Sequence, residues 1–380
     1  MKIIYLANAR IPTEKAHGVQ IMKMCEAFAA EGHAVELVLP RRFNQVADDP
    51  FAYYGVPRSF SIRKIGNVDL VSLGKIGFAI QAVTFSIRAL FDVCGKKEAI
   101  VYSRDAVPLF FLSFFRMPFY WEAHVSHYNF MVRRVLRKAK GVIAISGGLR
   151  DLFVGKGADL GKFLLAPDSI DGNILLDPTD KRELRAKLGL PQDRTIVGYV
   201  GKYRTMGKEK GVGELIKVFG EIASHFPKAH LLLVGINPSE MAEVKDVLAE
   251  NAVAPERFEI VGHVKQEQAM RYIKAADVLV MNYPDTPHYA LYMSPLKLFE
   301  YMASGNPIVT TDLPSVREIL DEKSAFFAPA DDHRALREAI EKAILHPEEG
   351  AILARRALEE VKKYTWQKRA AAITSFISGR

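Results

Sequence analysis

The sequence predicts an α/β protein made of two parallel-sheet domains, and three observations carry that prediction. The chain opens with an apolar run at Lys2–Ala7, a loop, an amphipathic stretch at Val19–Ala30 and a second apolar run at Ala34–Leu39. That strand–loop–helix–strand order is a βαβ unit, which requires parallel strands. The same alternation restarts at Thr195–Gly201 and continues through His230–Gly235, Phe258–Gly262 and Val278–Met281. The length of 380 residues holds two domains of ordinary size.

Taken in order, the helix from about Val19 to Ala30 presents Ile21, Met24, Cys25, Phe28 and Ala29 to a core, and Gly32 stops it. Gly18, at its start, is small enough for backbone to approach a phosphate. Residues 41–75 read as loops with short strands. Ala99–Tyr102 and Phe119–Trp121 are further strands, and the second runs into Glu122-Ala123-His124. A histidine at the C-terminal end of a parallel strand faces the crevice where such sheets bind ligands. A basic helix follows over Tyr128–Ala139, then the strand Val142–Ser146. In the second half, a helix at Lys181–Leu188 precedes the strand Thr195–Gly201. The loop Lys202–Gly211 then brings Lys202, Arg204, Lys208 and Lys210 together as an expected phosphate cradle. Arg204 offers a planar guanidinium, which grips phosphate in a geometry lysine cannot copy.

The stretch Ser294–Thr310 is one helix with its punctuation. Ser294 can cap the first amides, and Pro295 sits where a missing N–H costs nothing. Leu296, Phe299, Met302 and Ala303 recur at helical spacing, Gly305 stops the helix and Ile308–Thr310 is a buried strand. Free amides at Leu296 and Lys297, with the lysine beside them, make an anion site, and Glu300 can reach a group held there. A helix from about Thr365 to Ser378 closes the chain.

Composition narrows the classes. The chain is 49% hydrophobic and 25% charged, an ordinary globular balance. Cys25 and Cys94 make neither a disulfide framework nor a Cys/His metal cluster, so a reducing, cytoplasmic setting is expected. Met1–Ala7 is too short for a signal peptide. The uncharged run Ile76–Ile87 falls short of the roughly 18 residues that span a bilayer, so no transmembrane helix is expected. The net charge of +8 lies wholly in the first half: residues 1–172 hold 23 Lys/Arg against 15 Asp/Glu, residues 173–380 hold 29 against 29. With the apolar runs Ile76–Ile87 and Val107–Phe115, this half suits an anionic membrane surface or a lipid-linked acceptor. The other reading is that both runs are core helices and the charge serves solubility. No nucleic-acid motif accompanies the cations.

The run Pro295-Leu-Lys-Leu-Phe-Glu-Tyr-Met-Ala-Ser-Gly-Asn-Pro-Ile-Val309 resembles the donor-binding signature of the retaining GT-B glycosyltransferases, in the large family four (group 1). The resemblance implies two Rossmann-like domains facing across a cleft. Residues 1–172 would bind acceptor, 173–364 would bind a nucleotide-sugar donor, and the helix 365–380 would cross back to the first domain. It assigns Glu300 to the donor ribose. It places Tyr292 where the family's first glutamate contacts sugar hydroxyls. His17-Gly18 resembles the loop whose glycine meets the donor pyrophosphate, and His124 matches a histidine close to the transferred sugar. Lys202 and Lys210-Gly211 resemble the family's phosphate-binding Gly-Arg and Lys-Gly pair. Gly262-His263-Val264 resembles the segment whose backbone reads the base, so Val264 joins the donor set with Ser294, Leu296 and Lys297. Val142–Ser146 and Leu164–Asp171 resemble the strand and the hinge that close the first domain. The catalytic expectation is His124 and Glu300.

The activity this resemblance implies is that of a retaining transferase. It would stabilise a diphosphate leaving group with fixed cations and helix amides rather than a metal; the sequence contains no Asp-x-Asp. The donor, UDP- or GDP-linked, is a substrate and no cofactor is expected. The acceptor would be a glycan, a lipid-linked molecule or a small molecule, in cell-envelope polysaccharide or glycolipid synthesis at the inner face of the membrane. Two alternatives stay open: a catalytically silent nucleotide- or membrane-binding partner, to which Tyr292 points, and a sugar-nucleotide epimerase on the same scaffold.

Overall fold

The computed structural model describes every residue except Lys97, Asp177, Pro178, Met206 and Arg380. Met206, in the basic loop, and Arg380, at the end of the last expected segment, therefore lie outside the described residues. The chain divides into two compact units, Met1–Ser169 with Trp366–Arg380, and Ile170–Thr365.

The first unit runs β1 (Lys2–Leu6), α1 (Ala16–Ala30), β2 (Ala34–Pro40), α2 (Pro50–Tyr54), β3 (Ser61–Ile65), α3 (Gly74–Val93), β4 (Ala99–Ser103), α4 (Ala106–Leu112), β5 (Phe119–Ala123), α5 (Phe130–Lys138), β6 (Gly141–Ala144), α6 (Gly147–Gly155) and β7 (Phe163–Leu165). Its sheet is parallel in the order β3-β2-β1-β4-β5-β6-β7. The central strands are covered on both faces, which is why they read as apolar runs rather than alternations. Growth from β1 reverses direction at β4, so the ligand crevice of such a sheet falls at the C-terminal ends of β1 and β4. Asn129 and Ser146 cap α5 and α6 by accepting from the amides of Val132 and Leu149.

Both apolar runs fall on helices, each partly buried and partly exposed. The run Ile76–Ile87 is the middle of α3, a helix of 20 residues. Lys75 and Arg88 bound the apolar run but project from exposed positions without ending the helix. By length and composition, with mean hydropathy 1.5, the segment Val71–Val93 is apolar enough to cross a membrane, which corrects the reading of this region as too short. Phe85, Ala89 and Val93 are nonetheless fully buried in the unit. The run Val107–Phe115 becomes α4, which ends at Leu112 and leaves Phe114 and Phe115 exposed.

The second unit runs α7 (Lys181–Leu188), β8 (Thr195–Val200), β9 (Arg204–Thr205), β10 (Lys208–Glu209), α8 (Val212–His225), β11 (Ala229–Val234), α9 (Met241–Glu250), β12 (Phe258–Val261), α10 (Gln266–Ala275), β13 (Val278–Met281), α11 (Pro287–Leu291), α12 (Leu296–Ser304), β14 (Ile308–Asp312), α13 (Pro314–Arg317), β15 (Phe326–Pro329), α14 (His333–Leu345) and α15 (Pro347–Val361). Its sheet is parallel in the order β12-β11-β8-β13-β14-β15, and reverses between β8 and β13. The basic loop folds partly into the antiparallel hairpin β9–β10. The last helix, α16 (Trp366–Ser378), belongs to the first unit, where it packs on α1 and accepts a hydrogen bond from Tyr120 Oη at the carbonyl of Ile377.

Candidate functional site

The strongest candidate lies in the second unit, where the sheet reverses between β8 and β13. Three segments end there: the chain leaving β8 at Gly201-Lys202, the end of the β9–β10 hairpin at Lys210, and the start of α12. Lys297, in the first turn of α12, is buried at 7% exposure. Its Nζ lies 3.5 Å from the Tyr199 ring centroid, with Tyr283 and Tyr301 at 5.6 and 6.0 Å. Among the described residues the ammonium has no hydrogen-bond partner. Gly201 makes this position accessible. It sits at φ +151°, and a Cβ there would fall 2.8 Å from Lys297 Cε and Nζ. Tyr199 donates to the carbonyl of Lys202 at 3.0 Å, which ties the departing loop to the ring under the lysine.

Lys210 adds a second cation. Its amide donates to the carbonyl of Tyr203, and Asn282, just after β13, donates to the carbonyl of Gly211, so the hairpin is pinned to the sheet. Burial, reinforced by Lys202, lowers the Lys210 ammonium to about 8. Burial first, then Lys210, pushes Lys297 well below the ordinary lysine range, with Glu300 opposing. Three lysines therefore repel one another in one place. The carboxylate that opposes Lys297 is Glu300, raised by burial and held by Gln266 Nε2 at 2.9 Å. A buried cation with no partner is costly unless an anion completes the site.

The other expected residues divide between the site and its surroundings. Ser294 and Leu296, both partly buried, lead into α12, but the cap position is taken by Pro295, which has no capping group. The helix thus begins one residue later than expected, and Ser294 stands outside the cap position. Tyr292 ends α11, its amide bonded to the carbonyl of His288. Val264 is partly buried against the core beyond β12. Arg204 is committed elsewhere: its guanidinium pairs with both oxygens of Glu243 and stacks on Tyr203.

The first unit holds a different centre, at the C-terminal ends of its central strands. Glu122 on β5 is fully buried. It accepts from Gln20 Nε2, from Tyr102 Oη and from Arg369 Nη2 at 2.8 Å, and meets His124 Nε2 at 2.7 Å. Burial alone would raise this carboxyl, but Arg369, then His124 and Tyr102, hold it well below the usual range. Burial, with Arg104 nearby, pushes His124 down to about 4 although Glu122 opposes it. An ionised Glu122 only accepts, so a neutral His124 must carry its proton on Nε2, leaving Nδ1 as an acceptor. His17 is pushed to about 3 by burial, Arg104, Lys15 and His124. Gly18, its neighbour, has a packing reason to be glycine: a Cβ there would meet Tyr54 Oη at 2.1 Å. That hydroxyl donates to the carbonyl of Thr13 and accepts from its amide.

Sequence reasoning misses Glu122, Arg104 and Arg369 in the first unit and Tyr199, Tyr283 and Gln266 in the second. Glu122 has one signal, its two-residue spacing from His124, which in extended chain at the end of β5 puts both side chains on the same side.

Residues 194–346 match the family model described as glycosyl transferases group 1. Over its whole length the chain superposes on HepE of Anabaena, solved with UDP, at TM-score 0.76 with 17% identity and full coverage of both chains. It superposes on sucrose-phosphate synthase of Thermosynechococcus elongatus at TM-score 0.80, with 18% identity and coverage of 100% and 99%. The fold is GT-B. Among curated proteins, the chain is 29% identical over 160 residues to the Bacillus subtilis protein named for teichuronic acid biosynthesis, glycosyltransferase TuaC, covering 42% of this chain and 36% of that one. It is 27% identical over 180 residues to the phosphatidyl-myo-inositol mannosyltransferase of Mycolicibacterium smegmatis, covering 47% and 43%. The matches thus span less than half the length of these curated relatives.

Proposed function

We propose that this GT-B protein is a retaining, metal-independent glycosyltransferase that takes a sugar from a nucleotide-sugar donor. The observation that carries the reading is the buried ammonium of Lys297, without a hydrogen-bond partner among the described residues, beside Lys210 at the reversal point of the second sheet. A diphosphate is the ligand that would compensate it. As the glycosidic bond breaks, charge builds on the leaving diphosphate, and cations fixed beforehand lower that barrier without reorganising. Lys202, Lys210, Lys297 and the first-turn amides of α12 serve this purpose. Glu300, oriented by Gln266, accepts the ribose hydroxyls. His124, neutral and with Nδ1 free to accept, orients a sugar hydroxyl; front-face attack by the acceptor accounts for retention.

The neighbours solved with UDP and with UDP-glucose favour a uridine nucleotide. Relatives named for teichuronic acid, phosphatidylinositol and diacylglycerol glycosylation favour an envelope glycan or glycolipid acceptor. The test is thermal unfolding with UDP, GDP, ADP and their sugars, with and without EDTA, on the wild type and Glu300→Ala. A nucleotide at 100 times its dissociation constant stabilises the fold by about 2.7 kcal/mol. The expected result is one nucleotide that stabilises the wild type with or without EDTA and loses most of its effect in Glu300→Ala. No response to any nucleotide would sink the donor site, and a response abolished by EDTA would sink the metal-free reading.

A further inference from the structure

Helix α3 has two apolar faces, and the fold uses one. Phe85, Ala89 and Val93 turn inward and are fully buried. On the other side Leu73, in the turn entering the helix, is followed by Ile76, Ile80, Val83, Ile87 and Phe91 in steps of three and four residues. Such spacing places them along one face. All six are exposed, Leu73 at 68% and Ile76 and Phe91 at 76% each. The stripe runs for about 27 Å of helix. Its area is several hundred Å², at the upper limit of what a monomer ordinarily leaves bare.

The surroundings are cationic. Lys75 and Arg88 are the exposed charges on α3, while Asp92, its one acid, is engaged by Arg63 and Lys96. Helix α3 packs on α4 and α4 on α5, and that layer continues the pattern. Phe114, Phe115 and Phe130 are exposed, with Phe110 meeting Phe114 and Phe130 edge-on. Between Ala106 and Lys140 the chain carries Arg116, Arg133, Arg134, Arg137, Lys138 and Lys140 against one carboxylate, the buried Glu122. The whole first unit holds 26 Lys/Arg against 14 Asp/Glu, a formal +12, while the second holds 26 against 30, or −4.

We propose that the exposed face of α3 docks flat onto the surface of an anionic lipid bilayer. An apolar stripe flanked by cations matches the two layers it would meet, acyl chains below and acidic headgroups around. A second copy of the same face fits poorly, because it would bring two units of +12 together. A spanning helix fits poorly too, because Phe85, Ala89 and Val93 would have to leave the core.

The experiment is co-sedimentation, without nucleotide, with vesicles of equal parts phosphatidylcholine and phosphatidylglycerol, and with vesicles of phosphatidylcholine alone. The variant Ile76→Ser/Ile87→Ser/Phe91→Ser changes only exposed side chains and should keep the melting temperature and the nucleotide-induced shift of the wild type. The wild type is expected to sediment with anionic vesicles and about tenfold less with neutral ones, and the triple variant to stay in solution. Arg88→Glu should weaken binding to anionic vesicles and lessen its salt dependence. The proposal is overturned if the wild type ignores anionic vesicles, binds both kinds equally, or binds as well after the triple substitution. It is also overturned if sedimentation velocity finds a dimer that the triple substitution dissolves. Because nucleotide binding is read separately, either failure leaves the donor site untouched.

Discussion

The two units each gather charge where their sheets reverse, and they treat it in opposite ways. Around Glu122 the charge is compensated locally: Arg369 opposes it, Tyr102 and Gln20 donate to it, and His124 stays neutral beside it. Around Lys297 the cations outnumber their partners, and the deepest one lies against the Tyr199 ring and Gly201 with no hydrogen-bond partner among the described residues. A closed network holds shape, because each member fixes the others' geometry. An open one stores unfavourable energy that a ligand of the right charge releases. The contrast separates a centre whose buried charge is answered within the fold from one whose charge, among the described residues, is not.

The largest effect that would break the comparison is Arg369→Met. It leaves Glu122 buried against hydrogen-bond donors but no fixed cation, and should cost about 3 kcal/mol, the lower end for breaking a buried pair. Urea unfolding measures it, and adding Glu122→Gln should recover part of the loss. A neutral outcome for the single change would mean the pair does not hold the first unit together.

Lys297→Met should do the reverse. Replacing a partnerless buried ammonium with an apolar chain of similar length should stabilise the free protein by about 1 kcal/mol. The same change should weaken nucleotide binding about a hundredfold, some 2.8 kcal/mol. Thermal unfolding and calorimetric titration read the two signs independently. Loss of stability in the free protein would show that Lys297 is compensated after all.

The smallest effect sharpens the comparison through pH. In the free protein Lys210 titrates at about 8, below an ordinary lysine, and a bound diphosphate would raise it. Above about pH 8 binding must therefore take up a proton, and affinity should fall by up to about tenfold per pH unit. Lys297, lowered more strongly, contributes with the same sign from lower pH. Lys210→Arg should flatten the profile above about pH 8 in calorimetric titrations of UDP. An unchanged slope would remove Lys210 from the phosphate contact.

Much of this is legible in local pattern. The opening βαβ unit and the α12 helix with Gly305 and its following strand rest on neighbours in the chain, whereas the grouping of Lys202 and Lys210 with Lys297 and Glu300 rests on the family resemblance, since the two pairs lie far apart in sequence. The losses are long-range. Arg369 lies 247 residues from Glu122, and Gln266 lies 34 residues from Glu300, so no spacing announces either contact. Tyr199 reads as a core strand residue, which it is, and its second role under Lys297 depends on two elements meeting. Arg88 makes α3 look shorter than it is, because a charge in an apolar run is ambiguous until its direction is known. Gly18 shows the converse: a small residue before a helix suggests phosphate, while the observed neighbour is the hydroxyl of Tyr54.

Arg369 has one more consequence, for how the chain is made. Besides Glu122 it donates to the carbonyls of Ala166 and Pro167, so α16 closes a unit whose other residues end at Ser169. During synthesis at roughly 5–20 residues per second, the whole intervening unit emerges before that closure can happen. For about ten seconds or more the nascent first unit waits with Glu122 facing no arginine, while Ile170–Thr365 can already fold. A first unit completed only after the second has been synthesised is the part of the molecule whose yield should respond most to truncation at Trp366.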